Sequence, residues 1–107
     1  MRRSTLGPFH VEIPETGGER RRGLLGRDGL EPAHGMLFER ARRVHTFGMR
    51  FPILVAFLDR RYCVIETRIL APGRVASCLR ARHILELGAA ERVEVGAALS
   101  GPIVSSS

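Results

Sequence analysis

The run HTFGMRFPILVAFLD, from His45 to Asp59, is the longest apolar stretch in the chain. It is entered through Arg40, Arg42 and Arg43 and left through Asp59-Arg60-Arg61. Six consecutive apolar residues, Ile53 to Leu58, bounded by Pro52 and a charged turn, read as a strand buried on both faces. Pro52 suits the entrance of such a strand, because it cannot donate to a ladder in its middle. Near the start of the run, His45, Met49 and Arg50 bring an imidazole, a thioether and a guanidinium within six positions, which makes this the first place to seek a site.

Outward from that run the chain reads as short strands separated by turn residues. Phe9 to Ile13 alternates apolar and polar side chains and is stopped by Pro14, which predicts a half-buried strand. Met36 to Glu39, Val44 to Phe47, Ile53 to Leu58, Tyr62 to Thr67 and His83 to Leu87 are further strands. The last of these alternates His, Ile, Leu, Glu, Leu. Asp59-Arg60-Arg61 is short enough for a hairpin connection. Arg68 to Ala71 is extended, Arg74 to Arg82 reads as strand or irregular loop, and a final strand is expected around Leu99 to Val104.

Two short helical pieces are expected. Thr16 with Glu19 three positions later forms a capping-box pattern ahead of a helix over Glu19 to Leu25, and Gly88 opens a helical turn through Arg92. Strands at this spacing, with no strand-helix-strand alternation, predict a mainly β fold: a small antiparallel sandwich or roll-like barrel with one or two short helices. The 107 residues are too few for two independent cores, so one domain is expected, with its core over about residues 9–104 and frayed ends.

The formal charge of +6 points toward anionic partners, but all seventeen basic residues are Arg and none is Lys, and many of them alternate with acids. A coding bias toward Arg accounts for such lopsidedness more readily than selection for a binding face. Six aromatic residues, most within apolar strand patterns, argue against stacking platforms for single-stranded nucleic acid. The stretch MRRSTLGPF is followed by no apolar segment of signal-peptide length, and none of the ~18 residues needed to span a membrane occurs, so the reading is of a soluble, cytoplasmic chain. Cys63 and Cys78 match no metal spacing and are read as free thiols, with a single bridge between them as the lesser alternative.

Four motifs in order, Arg22-Gly23-Leu24-Leu25-Gly26-Arg27, Gly35-Met36-Leu37-Phe38, Phe47-Gly48-Met49-Arg50 leading to Pro52 and Phe57-Leu58-Asp59, and Ile84-Leu85-Glu86-Leu87, resemble the DUF192 (UPF0127) family over about Phe9 to Gly96. The resemblance implies a small β-rich sandwich or roll and no established activity. Where the family often has Phe-Trp-Met-Lys-Asn-Thr ahead of Pro-Leu-Asp, this chain has Gly48 for the tryptophan, Arg50 for the lysine and Leu54 for the aspartate. By that comparison the acid expected of a site is lost.

For chemistry, His10, His34, His45, His83 and the two thiols are the available transition-metal ligands, and no pair has a zinc-site spacing, so no metal or cofactor is expected. Cys78, near Arg74, Arg80 and Arg82, is a candidate nucleophile, and His45 and His83 are candidates to meet across a sheet. Arg22, Arg27 and Arg50 stand where the family pattern has basic residues, and a guanidinium grips carboxylate or phosphate through paired hydrogen bonds. Arg22 and Arg27 are alternatively ties from the short helix to Glu86 or Asp59. The expectation is a non-enzymatic binding or accessory module whose cleft, lined by Arg22, His45, Met49, Arg50 and Glu86, takes a small anionic ligand or a protein segment. A small enzyme using His45 or Cys78 and an arginine-driven nucleic-acid binder are the alternatives.

Overall fold

The computed structural model describes residues 1–99. Eight strands and one helix follow in the order β1 (Arg2–Leu6), β2 (Phe9–Ile13), α1 (Gly17–Arg22), β3 (His34–Glu39), β4 (Arg43–His45), β5 (Ile53–Leu58), β6 (Val64–Leu70), β7 (Val75–Ser77) and β8 (His83–Gly88). Six of them form one sheet in the order β1-β2-β3-β8-β5-β6, and β4 pairs with β7 in a separate two-stranded ribbon. The fold is therefore mainly β with one short helix. The large sheet is mixed rather than purely antiparallel, since β2 and β3 run parallel, and it stays open instead of closing into a barrel.

The core lies on both faces of this sheet. Odd and even residues of a strand point to opposite sides, so β5 sends Leu54, Ala56 and Leu58 to one apolar cluster and Ile53, Val55 and Phe57 to the other. The first cluster is completed by the β1–β2 hairpin, through Leu6, Phe9 and Val11, and by Leu99. The second is covered by Leu24 after α1, Val44 and Ala76 of the ribbon, Met49 and Cys78. Cys63 and Cys78 are both free thiols, the latter buried.

The β1–β2 hairpin turns through Gly7 and Pro8, joining Leu6 and Phe9 as register partners. Gly7 has φ 60, a value glycine reaches without the Cβ clash that other residues meet. α1 starts at Gly17, two residues before the expected Glu19, behind the capping box that the sequence indicates: Thr16 Oγ1 accepts from Glu19 N–H at 3.1 Å while Glu19 Oε1 accepts from Thr16 N–H at 3.2 Å. It ends at Arg22 rather than at Leu25, because Gly23 leaves helical geometry with φ 47 and ψ −126. The expected helical turn after Gly88 is a single turn closed by Glu91 N–H to Gly88 O at 3.0 Å. The expected strand at Leu99 to Val104 lies, beyond Leu99, outside the described residues.

One buried polar residue fastens the ribbon to the sheet. Thr46 is fully buried; its hydroxyl donates to Ala71 O at 2.6 Å and accepts from Arg74 N–H at 2.8 Å. Its backbone N–H also donates to Arg74 O at 2.8 Å. Thr46→Val keeps the shape and removes the hydroxyl, leaving the Arg74 N–H without its acceptor. The expected result is a loss of about 1–3 kcal/mol in urea denaturation, with an unchanged midpoint showing the hydroxyl to be dispensable.

Candidate functional site

β8 is the fourth strand of the large sheet, flanked by β3 and β5. Its alternation puts Leu85 and Leu87 on the first face and Ile84 and Glu86 on the second. Because both faces are covered, the one polar residue in this pattern lands inside the core. Glu86 is 5% exposed, and its register partners are Met36 on β3 and Val55 on β5, each fully buried. No hydrogen bond reaches its carboxyl among the described residues, and its oxygens open onto a cavity.

That cavity, of about 190 Å³, has Glu86 and Ile84 of β8 and Phe38 of β3 on its inner side. Leu24, Leu25 and Met49 close it laterally. At its mouth stand Arg20, Arg21 and Arg22 from α1, and Arg43 and His45 from β4. Arg43 and His45 share a face because Val44 between them points into the core. The three arginines share one turn of α1, at the helix end that favours positive charge. The Arg20 guanidinium lies 6.0 Å from the centroid of the Phe38 ring, within cation–π range.

Charge is segregated in this space. Glu86 is the one acid of the lining, set deep, whereas Arg21, Arg22, Arg43 and His45 are exposed at the rim. None of Arg20, Arg21, Arg22 and Arg43 enters an ion pair among the described residues. A guanidinium closed onto the carboxyl would hold its pKa down. Burial among apolar neighbours instead pushes Glu86 up to about 8, so it is protonated at neutral pH. The rim cations sit in water, which screens them from the carboxyl.

Four of the five residues singled out in the sequence, Arg22, His45, Met49 and Glu86, border this one cavity. Arg50 is not among its lining residues: its guanidinium pairs with Asp28 at 3.0 Å on the open surface. Arg27 pairs with Glu12 at 2.6 Å, not with Glu86 or Asp59. The Asp59 carboxylate is taken up by its own turn, accepting from Arg61 N–H at 2.8 Å and Cys63 N–H at 2.9 Å. The Cys63 contact foremost, with that from Arg61, holds its pKa below the usual range.

His45 and His83 do not meet. His45 is on the ribbon, stacked on Phe47 with its Nδ1 accepting from Phe47 N–H at 3.3 Å. His83 stacks on Tyr62 and accepts from Arg40 N–H at 3.1 Å. Cys78 is buried in the second-face cluster and does not border the cavity. Leu54, at the family's aspartate position, faces the opposite cluster, so the acid of this cavity is unaffected by that replacement. Among the described residues no group of three His, Cys, Asp or Glu side chains able to hold a metal occurs, and no helix there is long and apolar enough to cross a membrane.

Two solved structures share this fold. One is a candidate transcription regulator from Sinorhizobium meliloti 1021, with a TM-score of 0.79, 23% sequence identity and 92% of each chain covered. The other is a protein of unknown function from Novosphingobium aromaticivorans DSM 12444, with a TM-score of 0.68 and 18% identity over 82% of this chain and 73% of that one. At these identities the likeness is one of fold. No curated protein matches the chain. A family described as "Uncharacterized ACR" matches residues 2–100.

Proposed function

The chain belongs to the DUF192 family, and from that premise we propose that it is a non-enzymatic binding or accessory module whose cavity between α1, β4 and β8 takes a small anionic ligand or the anionic end of a protein segment. The observation that carries this is the set of four arginines, Arg20, Arg21, Arg22 and Arg43, at the mouth of one apolar-walled cavity with no acid partner among the described residues. Guanidinium groups left free of carboxylates at a concave site suit planar, two-point recognition of a carboxylate or phosphate. The volume of about 190 Å³ is below the roughly 300–1,000 Å³ of pockets for drug-sized ligands, which limits the enclosed part of the ligand to a few atoms. Of the two groups offered as alternatives for a small enzyme, His45 borders this space and Cys78 does not.

A second reading draws on a separate basic groove, where Arg40, Arg42, Arg60 and Arg82 gather beside His83. Phosphate backbones bind such surfaces with steep salt dependence. Amide chemical-shift mapping with short carboxylates, phosphate, nucleotides and oligonucleotides at two salt concentrations separates the two. The expected result is a set of shifts confined to residues 20–25, 43–49 and 84–86 with the small anions. Shifts spread over the groove at Arg40 and Arg82, produced by oligonucleotide alone and removed by salt, would overturn the cavity reading.

A further inference from the structure

The anion-binding reading leaves the deepest group of the cavity unused. Glu86 is more than nine-tenths buried, has no partner among the described residues, and opens onto the cavity from the centre of the sheet. An unpaired carboxyl in such a place is costly, and a plain anion at the arginine mouth does nothing to satisfy it. Resting on the anion-binding reading, we infer that the ligand is a small zwitterion, its carboxylate held by the arginine rim and its ammonium group donating to Glu86 at the inner end.

The arrangement of charge argues for both ends. The lining holds one acid, at depth, and its cations at the rim, from two different elements. A zwitterion entering carboxylate-outward meets each charge with its opposite. Phe38, Ile84, Leu24 and Met49 between them offer an apolar wall to the methylenes joining the two groups. From β3 and β5 the neighbours of Glu86 are Met36 and Val55, which carry no titratable group. The groups that face it are therefore Arg20, Arg21, Arg22, Arg43 and His45. Ammonium binding has a proton consequence. Glu86 is protonated at neutral pH because it is buried, and pairing with a cation favours its ionised form, so the carboxyl O–H bond breaks and the proton leaves to solvent as the ammonium–carboxylate pair forms.

The test uses the whole chain and two matched probe series: glycine, β-alanine, 4-aminobutyrate and 5-aminovalerate against acetate, propionate, butyrate and valerate. Affinity is read by amide shifts, and the Glu86 carboxyl is followed by its ¹³Cδ resonance through a pH titration. The expected result is at least one amino acid binding tenfold or more tightly than its plain counterpart and lowering the Glu86 midpoint by a pH unit or more. In Glu86→Gln that preference should disappear while weak binding of the plain acid remains. Equal affinity of the two series, or a preference that persists in Glu86→Gln, overturns the zwitterion and leaves the anion site standing. Failure of every probe to shift residues 20–25 and 43–49 overturns both.

Discussion

Glu86→Gln is expected to be more stable than the parent chain at pH 9 by several kcal/mol, and nearly equal to it at pH 4.5. In the unfolded chain this carboxyl ionises near its ordinary value of 4.5, and in the fold, through burial, near 8. Below 4.5 both states hold the proton and the contribution is intact. Between the two values the fold keeps a proton that the unfolded chain has released, so raising the pH favours unfolding, and above about 8 the loss is complete. The linkage over that interval is on the order of 4–5 kcal/mol.

Glutamine has nearly the same shape and no charge, so the interval vanishes in the variant. His83, whose pKa is lowered by burial first of all, acts in the opposite sense: its contribution is lost as the pH falls through the region below 6.5. For that reason the difference between the two proteins, in which His83 cancels, is the quantity to measure. Urea denaturation at pH 5, 7 and 9 should show that difference growing with pH. A constant difference would mean that Glu86 is paired in the fold and not an isolated buried acid.

Gly35→Ala is expected to lower the melting temperature by about 10–20 °C, from a loss of about 2–3 kcal/mol. Gly35 is a buried residue on β3 opposite Leu87 of β8. A methyl group there would stand 2.5 Å from Glu86 O and 2.6 Å from Leu87 Cδ2. The leucine tip can swing aside; the Glu86 carbonyl belongs to the ladder and cannot move without parting the two strands. Gly29→Ala is the control, since nothing lies within 4 Å of its added carbon, and a change within about 0.5 kcal/mol is expected. Equal melting temperatures for the two variants would show that β3 and β8 separate freely.

Strands whose pattern was carried by burial were legible. β2 and β5 occupy Phe9–Ile13 and Ile53–Leu58, and β8 extends the reading by one residue to Gly88, because apolar periodicity and flanking breakers agree there. β1 was not anticipated: Arg2 to Thr5 is polar and Leu6 is its one buried residue, so it has no periodicity to detect, and the Gly7-Pro8 turn was the available signal. The ribbon strands β4 and β7 have three residues each: β4 overlaps the strand read over Val44 to Phe47 but starts one residue earlier and ends two earlier, and β7 lies within Arg74 to Arg82, which reads as strand or irregular loop. For the site, Arg22, His45, Met49 and Glu86 were legible as residue types, while their convergence depends on pairings between distant strands. Arg43 was readable as a companion of His45 from the alternation of β4. Arg50 was misplaced because its partner, Asp28, lies in a loop with no pattern to indicate contact.

The parallel junction of β2 with β3 gives the cavity a particular place in the folding of the chain. The connection between those strands contains α1 and the turn at Leu24 and Leu25, so one wall is a crossover anchored at both ends in the sheet, while the opposite wall comes from β8. The lining runs from Arg20 to Glu86, so no short peptide contains the site and no half of the molecule can assemble it. Pairings this far apart in sequence close late and slowly. Occupancy of the cavity would thus report completed folding, and a ligand added during refolding should hold back unfolding far more than it speeds the first collapse.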